Sequence, residues 1–113
     1  MKCIDVYERY FEGAGSFNGV ERRGAVVKLT AESDCGMIKY EVSVNFFPHK
    51  NKTDFSVSYD AYFAEEIYNG KGRRSKKKEA AFLDGLTSKA DDLAAKNGGR
   101  IFWDKPLTDE RIS

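Results

Sequence analysis

Histidine occurs once in this chain of 113 residues, tryptophan once, and cysteine and proline twice each. The cysteines, Cys3 and Cys35, form no C-x-x-C pair, and His49 is the sole histidine, so the usual four zinc ligands cannot be assembled from Cys and His. No metal, cofactor or disulfide framework is expected. An excess of charge of one sign is also missing: 19 Lys and Arg stand against 18 Asp and Glu, a net charge of +1. That balance excludes a protein that coats nucleic acid indiscriminately. The segment after Met1 has no apolar stretch long enough for a secretory signal or a membrane span. A cytoplasmic chain with free thiols and no membrane partner is the default, and the sequon at Asn51-Lys52-Thr53 would then stay unmodified.

What is present is an ordinary apolar fraction, 41%, in a length that suits one domain over residues 1–113, with residues 108–113 expected to fray. From Ile38 to Phe46 apolar and polar residues alternate, the period of a half-buried strand. Phe55, Val57, Tyr59, Ala61 and Phe63 repeat the pattern after a polar loop at Pro48–Thr53, so the two strands should pair antiparallel. Gly24–Glu32 reads as a further strand of the same meander, followed by turn residues Ser33–Gly36. Ala64–Tyr68 either continues the long strand or turns back as a short one.

Near the N-terminus Ile4, Tyr7 and Phe11 recur at helical spacing, which favours a short helix over residues 3–11. The β-branched and aromatic content keeps a strand open as the alternative. Gly13–Gly19 has the composition of a flexible loop. The C-terminal half carries a long helix over 75–97: Phe82, Leu86, Ala90 and Leu93 form its apolar stripe, Ser75 its N-cap and Asn97-Gly98-Gly99 its stop. Gly85 inside it marks either a close approach to the sheet or a break. Arg100–Asp104 should dock as an edge strand or a capping segment. The expected fold is therefore α+β, an antiparallel sheet of three to five strands with the long helix on one face, burying Phe82, Leu86, Ala90 and Leu93 against Tyr40, Val42, Val57 and Tyr59. Cys3 and Cys35 are expected to be buried as small hydrophobes. Phe47 and Tyr62 fall out of phase with their strands and either share the open side of the sheet or lie under Phe102 and Trp103 of the tail; the second arrangement is the expected one.

Charge is distributed unevenly. Six of the eight residues from Lys71 to Lys78 are basic, namely Lys71, Arg73, Arg74, Lys76, Lys77 and Lys78, which leaves the rest of the chain at −5. The run opens the C-terminal helix, where the macrodipole and unpaired N–H groups already favour anions, so lysine there opposes helix stability and suits a phosphate ligand. The spacing of Gly70-Lys71-Gly72 is not that of a nucleotide P-loop.

Tyr40, then Pro48-His49, Phe55-Ser56-Val57-Ser58, Gly70-Lys71-Gly72 and Ser75-Lys76-Lys77-Lys78-Glu79-Ala80 follow one another in an order that resembles the double-stranded RNA-binding domain over about residues 38–83. The sequence departs from that family at Phe47, at the longer His49-to-Phe55 spacing, at Ala81 and at Asp84-Gly85. The resemblance implies that Lys76, Lys77 and Lys78 straddle phosphates across a major groove while the His49 loop approaches a minor groove. The expected function is a small non-enzymatic nucleic-acid-binding module, with double-stranded RNA or another nucleic acid as partner. Lys71, Arg73, Arg74, Lys76, Lys77 and Lys78 would contact phosphates, and His49, Lys50 and Lys52 would supply a second contact. The alternatives are a protein–protein adaptor that uses a sheet edge or the aromatic surface and, in a eukaryotic source, a nuclear-import signal. An enzyme is the weakest reading: His49 has no visible base or nucleophile beside it, and Glu65-Glu66 and Asp91-Asp92 are adjacent pairs that point apart.

Overall fold

The computed structural model describes residues 2–17, 19–47 and 61–106. Its elements in chain order are β1 (Lys2–Phe17), β2 (Val20–Asp34), β3 (Met37–Phe47), β4 (Ala61–Lys71), α1 (Lys76–Asp84), α2 (Leu86–Lys96) and β5 (Arg100–Pro106). The five strands form one antiparallel sheet in the order β4-β3-β2-β1-β5. Both helices lie on one face, in agreement with an α+β class.

The alternation from Ile38 to Phe46 does what its period requires. Ile38, Tyr40, Val42, Val44 and Phe46 are buried and point to the helices, together with Ala25, Val27 and Leu29 of β2. Leu86, Ala90, Leu93 and Ala94 of α2 close the core from above, and full burial of each leucine contributes about 1.5–3 kcal/mol. Phe82 of α1 is half-buried, its ring 5.0 Å from that of Tyr40. The expected packing is thus present for Leu86, Ala90, Leu93, Tyr40 and Val42, while Val57 and Tyr59 fall outside the described residues. Ala64–Tyr68 continues as part of β4, and Arg100–Asp104 docks as an edge strand on β1. Among the described residues no helix is long and apolar enough to cross a membrane.

Several expectations are overturned. The N-terminal segment is a strand, not a helix. Ile4 pairs with Ala31 and Tyr7 with Leu29, so three residues of β1 span two of β2. That bulge brings Ile4 and Tyr7 to the same face, and Phe11 follows four residues on with the same parity. A bulged strand therefore reproduces the spacing of a helical stripe. Gly13–Gly19 is likewise not a loop, since β1 runs to Phe17 before the turn at Gly19. A Cβ on Gly13 would lie 3.1 Å from both Ala25 Cβ and the Arg100 carbonyl oxygen. Glycine there admits the neighbouring strands.

The long C-terminal helix is two short ones. Gly85 caps α1 at φ −100°, ψ 5°, and a Cβ on it would meet nothing within 4 Å, so it marks a break and not a close approach. The break separates α1, which leans on Tyr40 and Tyr68, from α2, which covers the centre of the sheet. Gly85→Ala is expected to stabilise the protein by no more than about 0.5 kcal/mol: its backbone angles suit alanine and the unfolded chain loses freedom, but alanine is a poorer N-cap for α2 than glycine. Chemical denaturation measures this directly.

The cysteines are exposed, not buried. Cys35 occupies the β2–β3 turn at φ +51°, with its thiol donating to the Asp34 carboxylate at 3.4 Å. Cys3 lies on the face away from the helices, near the start of β1. Phe47 and Tyr62 share the face away from the helices and do not lie under Trp103, but only Tyr62 is open, 59% exposed, whereas Phe47 is 7% exposed with its ring 6.3 Å from Tyr10. Trp103 turns to the helix side, stacked edge-on to Phe11 at 4.8 Å and donating from Nε1 to Asp91 at 2.7 Å.

Candidate functional site

The basic run begins where β4 ends. Lys71 is the last residue of the strand and pairs with Met37. Gly72, at φ +125°, donates its N–H to the Gly36 carbonyl at 2.8 Å and turns the chain out of the sheet. An L side chain rarely adopts that angle, so the turn needs glycine. Arg73 follows on the surface and, with Lys2, Cys35 and Met37, lines an open cleft of about 460 Å³. Ser75 is the N-cap of α1, as its position suggested: its Oγ accepts from the Lys78 N–H at 3.2 Å. The backbone N–H groups of Lys76 and Lys77 find no acceptor among the described residues.

Beneath this surface is a polar network that joins the run to the sheet. Glu79 is 6% exposed and takes two hydrogen bonds from Arg74, Nε to Oε2 and Nη2 to Oε1, each at 2.9 Å. The Tyr40 hydroxyl, at the centre of the core, donates to Glu79 Oε2 at 2.7 Å and accepts the Ser75 N–H at 3.0 Å. The forked guanidinium holds the Glu79 carboxyl below its ordinary pKa, with the Tyr40 hydroxyl bond adding to the effect against the cost of burial. Burial, then the bond to Glu79, pushes the Tyr40 phenol up. Both Glu79 oxygens and the Tyr40 hydroxyl therefore have defined partners, and the chain from Arg74 to Glu79 is tied to β3.

The six basic residues divide accordingly. Arg74 is committed to Glu79. Lys78 lies 4.6 Å over the Tyr68 ring and donates one hydrogen bond to its hydroxyl at 3.3 Å, which holds its ammonium against β4. Lys71, Arg73, Lys76 and Lys77 remain exposed and make no ion pair among the described residues. The sheet face away from the helices has the opposite character: Lys28 pairs with Asp5 at 3.8 Å and Glu8 at 3.7 Å, and Lys39 with Glu32 at 3.4 Å. Lys28 and Lys39 are thus paired, whereas Lys71, Arg73, Lys76 and Lys77 are not, among the described residues.

His49, Lys50 and Lys52 lie outside the described residues. The residues that flank them, Phe47 and Ala61, stand at the end of the β3–β4 pair away from Lys71, about 30 Å along the strands at ~3.4 Å per residue. Among the described residues no three His, Cys, Asp or Glu side chains converge to hold a metal ion.

Known proteins add no assignment. No family model matches the chain, no curated protein matches its sequence, and no solved structure matches its fold. The site therefore stands on its own geometry. Sequence reasoning missed the roles of Arg74, Glu79 and Tyr40. The one local signal was a lone glutamate, Glu79, in a first turn otherwise filled by lysine.

Proposed function

We propose that the chain is a small, non-enzymatic nucleic-acid-binding module that holds phosphates at the junction of β4 and α1. The observation that carries this reading is the set of four exposed cations, Lys71, Arg73, Lys76 and Lys77, gathered in seven residues and making no ion pair among the described residues. The same stretch of chain carries two helix N–H donors, those of Lys76 and Lys77, that have no acceptor among the described residues. Their backbone is held by the Arg74, Glu79 and Tyr40 network, so little order has to be gained on binding. Phosphates repeated along a polynucleotide would engage several of these groups at once, which is a sequence-independent contribution to binding. Recognition is therefore of charge and shape.

Four phosphate contacts predict a slope of log affinity against log salt of about −3.6 on duplex DNA and about −2.8 on a single strand. Titrations of duplex RNA, duplex DNA and single strands across a salt series test this reading. A slope near zero, or no binding at low salt, would remove it.

A further inference from the structure

The two edges of the sheet differ. β5 has seven residues, ends at Pro106 and pairs with β1 only around Phe11–Ala14. β4 is the other edge, eleven residues long and without proline, and among the described residues no strand pairs with its outer side. Its register with β3 is regular from Ala61 opposite Phe46 to Glu66 opposite Glu41, and only then slips at Ile67. A regular stretch of this kind presents alternate unpaired N–H and C=O groups, a template for an added strand.

Side chains beside that edge indicate what the added strand would carry. Glu66 and Glu41 are direct cross-strand neighbours on the face away from the helices, an arrangement in which like charges repel. Asp5 lies in the same row beyond Thr30. Lys28 is held by Asp5 and Glu8, and Lys39, although Glu41 and Glu66 both attract it, makes its ion pair with Glu32, so one shared lysine faces two carboxylates. Glu41 accepts a hydrogen bond from the Tyr62 hydroxyl at 3.2 Å, and Glu66 makes no ion pair among the described residues. Tyr62, 59% exposed, adds an apolar ring on the same face. We infer that the outer edge of β4 over Ala61–Glu66 receives an extended segment of a partner protein, with Lys or Arg at the alternate positions that face Glu66 and Glu41. A second copy of β4 is a poor occupant, because Ala61–Glu66 contains two glutamates and no cation. A polynucleotide would meet carboxylates here. The inference uses none of Lys71, Arg73, Lys76 or Lys77, so it stands or falls separately from the nucleic-acid reading.

The test uses the full chain and two end-capped octapeptides, one alternating Lys and Val and the other alternating Glu and Val, with hydrogen exchange followed at each β4 amide. The Lys-Val peptide is expected to slow exchange at every second amide of Ala61–Glu66 by about tenfold or more, and the Glu-Val peptide to leave it unchanged. Glu66→Lys, a surface change that should not disturb folding, is expected to remove the response to the Lys-Val peptide. Absence of protection with the Lys-Val peptide would overturn the inference, as would equal protection by both peptides. Protection that rises with protein concentration in the absence of peptide would also overturn it, by placing a second copy on the edge.

Discussion

Lys76→Glu combined with Lys77→Glu is expected to weaken polynucleotide binding on the order of 100-fold at about 50 mM salt and to make the salt slope shallower by about two contacts. These residues stand in the first turn of α1, exposed and without an ion pair among the described residues, so their reversal removes two of the four available phosphate contacts and adds repulsion. Folding should survive. Acidic side chains in a first turn suit the macrodipole by about 0.3–1 kcal/mol each, partly offset by the nearby Glu79. Affinity and denaturant unfolding measured on the same preparation separate the two effects: lost binding with an intact unfolding transition is expected. An unfolded double variant would show that the lysines serve the fold.

The second large effect concerns the residue beneath them. Glu79→Ala should destabilise the protein by about 2–3 kcal/mol, because it leaves the core hydroxyl of Tyr40 without its acceptor and frees the Arg74 guanidinium. The figure stays below that for a fully buried ion pair since Arg74 is about half exposed and can be rehydrated. Folding depresses the Glu79 pKa, so its contribution is complete above the ordinary carboxylate range and is lost as pH falls through the lower folded value. The difference in unfolding free energy between wild type and Glu79→Ala should therefore be largest near about pH 7 and shrink in acid. A difference that does not change with pH would mean that the carboxylate charge contributes nothing.

These two residues types also show how far the sequence could be read. The alternation of β3 reports burial directly, since period 2 has one structural cause there and the strand is regular opposite β2. In β1 the same reading failed because a bulge between Asp5 and Tyr7 inserts one residue, and an alternating strand with one insertion shows the three- and four-residue steps of a helix. Gly85 was ambiguous for a different reason: Phe82, Leu86 and Ala90 keep a four-residue step across it, so the apolar stripe runs unbroken through a break in the backbone. The position of the basic run was legible from charge counting alone. Which of its members stay exposed was not, because Arg74 is engaged by a carboxylate five residues away, and that carboxylate is anchored by Tyr40, 39 residues from Glu79 in sequence. Contacts of that range are set by the fold.

The most direct measurement is a backbone amide shift map of the protein titrated with short RNA and DNA at low salt. Shifts concentrated at Lys71–Lys77, with the open sheet face around Asp5, Glu8 and Glu41 unmoved, are the expected result. Shifts centred on that acidic face, or none at Lys71–Lys77 with any polynucleotide, would contradict phosphate binding at the β4–α1 junction.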